Sequence, residues 1–79
     1  MSKTYIKSLE DLLNAKNKNQ KIYIEAYQED LGGFKKNGFY IKFIDGVPCV
    51  FDGDENDKFI SYNVDIILDN NYTKLSVEE

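Results

Sequence analysis

At 79 residues the chain is one domain at most, and a chain this short buries only about 60% of the surface that its unfolded form exposes. It is 42% hydrophobic with six Tyr and five Phe, a composition that excludes a disordered segment. The net charge is −4, and all ten basic residues are Lys. Without Arg there is no bidentate fork for phosphates or guanine edges. Without His the usual near-neutral acid/base and the Ser–His and Cys–His pairs are excluded. One Cys, Cys49, excludes an internal disulfide and a zinc site built from Cys and His. Lys, Asn, Ile, Tyr and Phe, all with A/T-rich codons, make up nearly half the chain, which points to a low-GC bacterium or a mobile element of one.

The start, MSKTYIKSLED, lacks the apolar core of a signal peptide, and no apolar run approaches the ~18 residues of a membrane span. With a single thiol, these features predict a cytoplasmic protein without a membrane partner. The first regular element is a helix over 9–17. Ser8 is its N-cap, Asp11 sits in the first turn, and Leu9, Leu12 and Leu13 form one apolar stripe. A start at Thr4 remains open on the sequence alone.

From Lys21 the period changes to two. Ile22, Ile24 and Ala26 alternate with Tyr23, Glu25 and Tyr27, predicting a strand over 21–28. The segment QEDLGGFKKNG reads as a long connection with turns at Gly32–Gly33 and Asn37–Gly38, and long loops often carry binding residues. Strands over 39–44 and 47–52 flank Asp45–Gly46, a type I′ hairpin signal. A two-residue turn pairs Ile44 with Val47 and Tyr40 with Phe51. Phe39, Ile41, Phe43, Pro48 and Val50 then share the core face. Tyr40, Ile44, Val47, Cys49 and Phe51 share a second face with Lys42, too apolar for an ordinary wet surface. Clean alternation predicts a strand over 58–68, a turn at Asp69–Asn71, and a last strand over 72–77.

The elements predict an α+β domain spanning 1–79: a short N-terminal helix, then about five antiparallel strands in a meander that curls into a small barrel-like sheet. In element order and size this resembles the Sm-like barrels, which implies a single-stranded nucleic-acid ligand. The resemblance rests on element order, and no residue is carried over from it.

The acidic stretch VFDGDENDKF, at 50–59, does not fit a calcium loop. Counted from Asp52, the sixth position is Asp57 instead of Gly and the twelfth is Asn63 instead of a bidentate Glu. No metal site, cofactor or catalytic pair is predicted, so the expectation is a non-enzymatic protein. Charge divides unevenly: residues 1–44 hold eight Lys against five acids, and residues 45–79 hold two against nine. The first functional reading is a protein-binding module whose partner presents a basic surface, in the manner of an accessory or inhibitory protein. Its site is Tyr40, Val47, Phe51, Asp52, Asp54, Glu55 and Asp57. The alternative is single-stranded nucleic-acid binding through Tyr23, Tyr27, Phe34, Lys35 and Lys36. A homodimer would use residues 21–28 or the last strand as an edge.

Overall fold

The computed structural model describes residues 2–61 and 72–78. The elements are β1 (Lys3–Tyr5), α1 (Leu9–Asn17), β2 (Ile22–Gln28), β3 (Gly33–Ile44), β4 (Val47–Asp52), β5 (Lys58–Ser61) and β6 (Thr73–Glu78). Among the described residues the six strands form one sheet, in the order β1-β6-β2-β3-β4-β5, with every neighbouring pair antiparallel. The fold is α+β, as expected. The strand expected over 58–68 is described only to Ser61, and its remainder and the turn at 69–71 lie outside the described residues.

Three expectations are corrected. A strand precedes the helix: Lys3 and Tyr5 alternate around Thr4 and pair with β6, so the described residues hold six strands where about five were expected. Among the described residues the sheet is open, with β1 and β5 at its two edges, so the barrel-like closure is only loosely matched. β2 and β6 lie inside the sheet, so neither residues 21–28 nor the last strand offers an edge for a second copy. β1, at one edge, is short, a usual way of blunting edge-to-edge pairing.

The helix occupies its expected range. The Ser8 side chain accepts a hydrogen bond from the Asp11 backbone N–H at 3.2 Å, and the Asp11 carboxylate accepts one from the Lys7 N–H at 3.0 Å. Its buried side differs from the leucine stripe. Ala15 is buried and Leu12 packs at the core's edge, whereas Leu9 is 70% exposed. Ala15 has almost no side chain, so the helix can approach the sheet closely at that point. The core joins Ala15 to Ile22, Ile24, Ile41, Val50, Leu75 and Val77, with Ile6, Leu12, Phe39 and Phe43 around it. Each such isoleucine or leucine contributes about 1.5–3 kcal/mol relative to leaving it in water.

Asp45 and Gly46 both have positive φ, and the β3–β4 register is the one the turn dictates. Upstream, the long connection expected at 28–38 is absent. A single 3-10 turn at Glu29–Leu31, closed by left-handed Gly32, leads directly into the 12-residue β3. The Asn37–Gly38 pair that looked like a turn is a bulge within that strand: the β2–β3 register passes from Tyr23↔Tyr40 to Glu25↔Lys36.

Candidate functional site on the uncovered sheet face

The helix covers the face that carries Phe39, Ile41, Phe43 and Val50. By strand alternation, the other face presents Lys3 and Tyr5 (β1), Lys74, Ser76 and Glu78 (β6), Tyr23, Glu25 and Tyr27 (β2), Phe34, Lys36, Tyr40, Lys42 and Ile44 (β3), Val47, Cys49 and Phe51 (β4), and Phe59 (β5). It divides into two halves of different chemistry.

Over β1, β6, β2 and the first part of β3, ammonium groups lie over the rings, and Tyr27 meets Phe34 edge-on at 5.5 Å. Lys36 Nζ lies 4.1 Å from the centroid of the Tyr23 ring, Lys74 Nζ 4.3 Å from Phe34, and Lys3 Nζ 4.9 Å from Tyr5. Each such contact is worth about 0.5–1 kcal/mol at an exposed site. At the centre is Glu25, 1% exposed. Its carboxylate accepts from Ser76 Oγ at 2.6 Å, Lys3 Nζ at 3.2 Å and Tyr5 Oη at 3.3 Å. Burial pushes this carboxyl up, but the Ser76 and Lys3 hydrogen bonds and the Lys3 charge outweigh burial and hold it below its ordinary value. A charged, fully partnered carboxylate organises its neighbours; it is not poised for proton transfer. Lys36 forms an ion pair with Glu78.

Over the rest of β3, β4 and β5 the rings pack on one another. Tyr40 stacks on Phe51 with centroids 5.5 Å apart and planes inclined by 21°, and Phe51 meets Phe59 edge-on at 6.0 Å. Ile44, Val47 and Phe59 are 43–45% exposed around the buried Cys49. With Asp45 and Phe51 they line a shallow depression of about 370 Å³.

The acidic loop closes the far end of β4. Asp52 caps a 3-10 turn over Gly53–Glu55 by accepting from the Asp54 N–H at 3.0 Å, and Asn56 and Asp57 both adopt positive φ. The loop seats on the β3 bulge: a Cβ on Gly38 would meet the Asp54 carboxylate, which would have to swing aside, and the φ of +91° at Gly38 itself favours glycine. Asp57 Oδ1 accepts a hydrogen bond from the Tyr40 hydroxyl at 2.8 Å. Burial, with that bond, pushes the Tyr40 phenol up to about 12.

Of the residues expected to bind protein, Val47, Asp54, Glu55 and Asp57 are exposed, while Phe51 and Asp52 are half-buried. Tyr40 is buried and spends its hydroxyl on Asp57, so this pair serves the fold before any partner. Of the residues expected to bind nucleic acid, Tyr23, Tyr27, Phe34 and Lys36 share the uncovered face as strand residues, not loop residues. Lys35 points by alternation to the other side and pairs with Ala26. Sequence reasoning missed Lys3, Tyr5, Lys21, Lys74 and the Glu25–Ser76 pair as parts of this face. The alternation of Lys3 and Tyr5 was a signal for β1; the partners of Glu25 arise from strand order and left no local signal.

Among the described residues no group of three or more His, Cys, Asp or Glu side chains is placed to hold a metal ion. No described helix is long and apolar enough to cross a membrane. Comparison of the chain with protein-family models, with curated proteins and with solved structures finds no match.

Proposed function

We propose that this chain is a non-enzymatic, cytoplasmic protein-binding module that docks a basic partner through the β3–β4 end of its uncovered face, as an accessory or inhibitory protein would. The observation that carries this reading is the exposed cluster of Ile44, Val47 and Phe59 over the depression floored by Cys49 and Phe51. An aromatic and aliphatic centre with a polar rim is how protein interfaces are built. Ile44 and Phe59 replace Tyr40 in the contact surface, because Tyr40 is buried.

Charge supports the choice of partner. Asp45 borders the depression, and the exposed Asp54, Glu55 and Asp57 lie roughly 17 Å away at the other end of β4, within the footprint of one ordinary interface. Such a rim mainly accelerates encounter and rejects acidic competitors, while the apolar centre sets the dissociation rate.

The test uses the tagged chain to capture partners from lysate, followed by binding measurements with the purified partner. Val47→Asp is expected to weaken capture at least tenfold. Asp45→Asn combined with Glu55→Gln is expected to lower the association rate and flatten its salt dependence. Capture that Val47→Asp leaves unchanged would remove the depression from the interface.

A further inference from the structure

Two backbone irregularities meet at one place on the uncovered face, and between them lies an open depression of about 570 Å³. The first is the β3 bulge, where Asn37 Oδ1 accepts from the Phe39 N–H at 3.0 Å and Gly38 sits at φ +91°. The second is the acidic loop, with left-handed residues at both Asn56 and Asp57. Bulges and left-handed non-glycine residues concentrate where a protein aims side chains at a ligand. The depression has the volume of an ordinary ligand site and is as shallow as the apolar one.

Its walls differ in chemistry. The half-buried Tyr23 ring stands at its floor beside the buried Tyr40 ring, which is stacked on Phe51; the Tyr23 and Tyr40 centroids are 6.5 Å apart with planes inclined by 58°. Lys21 Nζ lies 4.8 Å from the Tyr40 centroid, and Lys36 Nζ 4.1 Å from that of Tyr23. Among the described residues Lys21 makes no ion pair, so its charge is available to an anion. Facing the ammonium groups are the carboxylates of Asp54 and Asp57. Asp57 has a second oxygen besides the one that holds Tyr40.

We infer that this depression binds a nucleotide: an aromatic base over Tyr23, its phosphate on Lys21 and on Lys36, which exchanges its pairing with Glu78 for the phosphate, and its amino or hydroxyl donors toward Asp54 and Asp57. Each part of the ligand answers one wall. Rings accept any base face, and lysine holds phosphate as a point charge without needing arginine's fork. The carboxylates accept hydrogen bonds and repel excess anionic charge, so a bare phosphate or a polyphosphate fits less well than a base carrying one phosphate. The same chemistry is offered by a free mononucleotide and by one unit of a single strand. The site is separate from the apolar depression, so it does not depend on the protein-docking reading.

The test is an NMR titration of the full chain at low salt with AMP, UMP, adenosine, inorganic phosphate and short single-stranded DNA and RNA. A nucleotide or strand is expected to shift the amide signals of Tyr23, Gly38 and Tyr40. Half-saturation is expected at least tenfold lower than for adenosine or phosphate alone. Lys21→Glu, an exposed substitution, is expected to weaken binding at least tenfold, and Val47→Asp to leave it unchanged. Saturation by AMP or UMP equal to that by the strands assigns a free nucleotide; saturation by the strands alone assigns a strand unit. No response to any nucleotide or strand at millimolar concentration would overturn the inference. So would binding that Lys21→Glu does not alter, or phosphate binding as well as AMP.

Discussion

The two halves of the uncovered face are built from the same residue types on the same sheet, yet they are stabilised in different ways. In the β1–β6–β2 half, ammonium groups lie over Tyr5, Tyr23 and Phe34, Tyr27 meets Phe34 edge-on, and the charge converges on the buried Glu25 carboxylate. In the β3–β4–β5 half, Tyr40, Phe51 and Phe59 pack ring on ring, and one phenol donates to Asp57. The first half satisfies its polar groups internally. The second leaves aliphatic surface in water. The lesson is that composition does not decide what a sheet face offers; the placement of one buried carboxylate does.

The halves meet at the bulge, so the largest effect is expected there. Gly38→Ala puts a side chain at φ +91° and drives its Cβ into the Asp54 carboxylate. A loss of about 2–3 kcal/mol is expected in urea unfolding, with the acidic loop displaced. A near-neutral result would mean that the bulge does not hold Gly38 at positive φ.

Next in size is Glu25→Gln, which keeps the shape but removes the charge from Lys3 and one acceptor from Ser76 or Tyr5. A cost of about 1–3 kcal/mol is expected. Because the folded state holds this carboxyl below its ordinary value of 4.5, its contribution is fully present above that value and is lost as pH falls through the folded value. Thermal unfolding against pH should therefore lose part of its acid-side slope in the variant. An unchanged slope would show that Glu25 does not hold this half together.

The other half responds at the opposite end of the scale. Tyr40 is raised from 10.0 to about 12, so the stability linked to its proton is intact below pH 10 and is lost as pH rises toward 12. Tyr40→Phe removes the Asp57 bond at a cost of about 0.5–1.5 kcal/mol and should abolish that part of the alkaline transition. The absorbance of tyrosinate, followed alongside unfolding, checks this directly. If wild type and variant lose stability identically between pH 10 and 12, the phenol is not the linked group.

Much of this arrangement was legible in the chain. Asp45–Gly46 fixed the β3–β4 register, and Ser8 with Asp11 marked the helix start, because turn and cap chemistry are local. The core face of the hairpin followed from alternation once the register was known. The bulge was misread, since Asn37–Gly38 looks the same whether it turns a chain or kinks a strand. Leu9 was misplaced because a nine-residue helix has room for only one contact row, and the small Ala15 took it. The lysine–aromatic half was scattered over four segments as far apart as Lys3 and Lys74. It required the insertion of β6 between β1 and β2, a topological fact with no residue signature.

The smallest predicted effect is a coupling energy near zero. Tyr5 on β1 and Val47 on β4 are separated by four strand spacings, roughly 19 Å. Tyr5→Phe removes a hydrogen bond to Glu25 and should cost about 0.5–1 kcal/mol. Val47→Asp, at a 44% exposed site, should stay within about 0.5 kcal/mol of wild type. If the halves are independent surfaces that share only a core, the double variant should equal the sum of the singles within about 0.3–0.5 kcal/mol. A coupling above about 1 kcal/mol would mean that the Tyr23–Tyr40 contact transmits strain between them. The two faces would then have to be treated as one site, in which a ligand on the lysine side changes what the apolar side can dock.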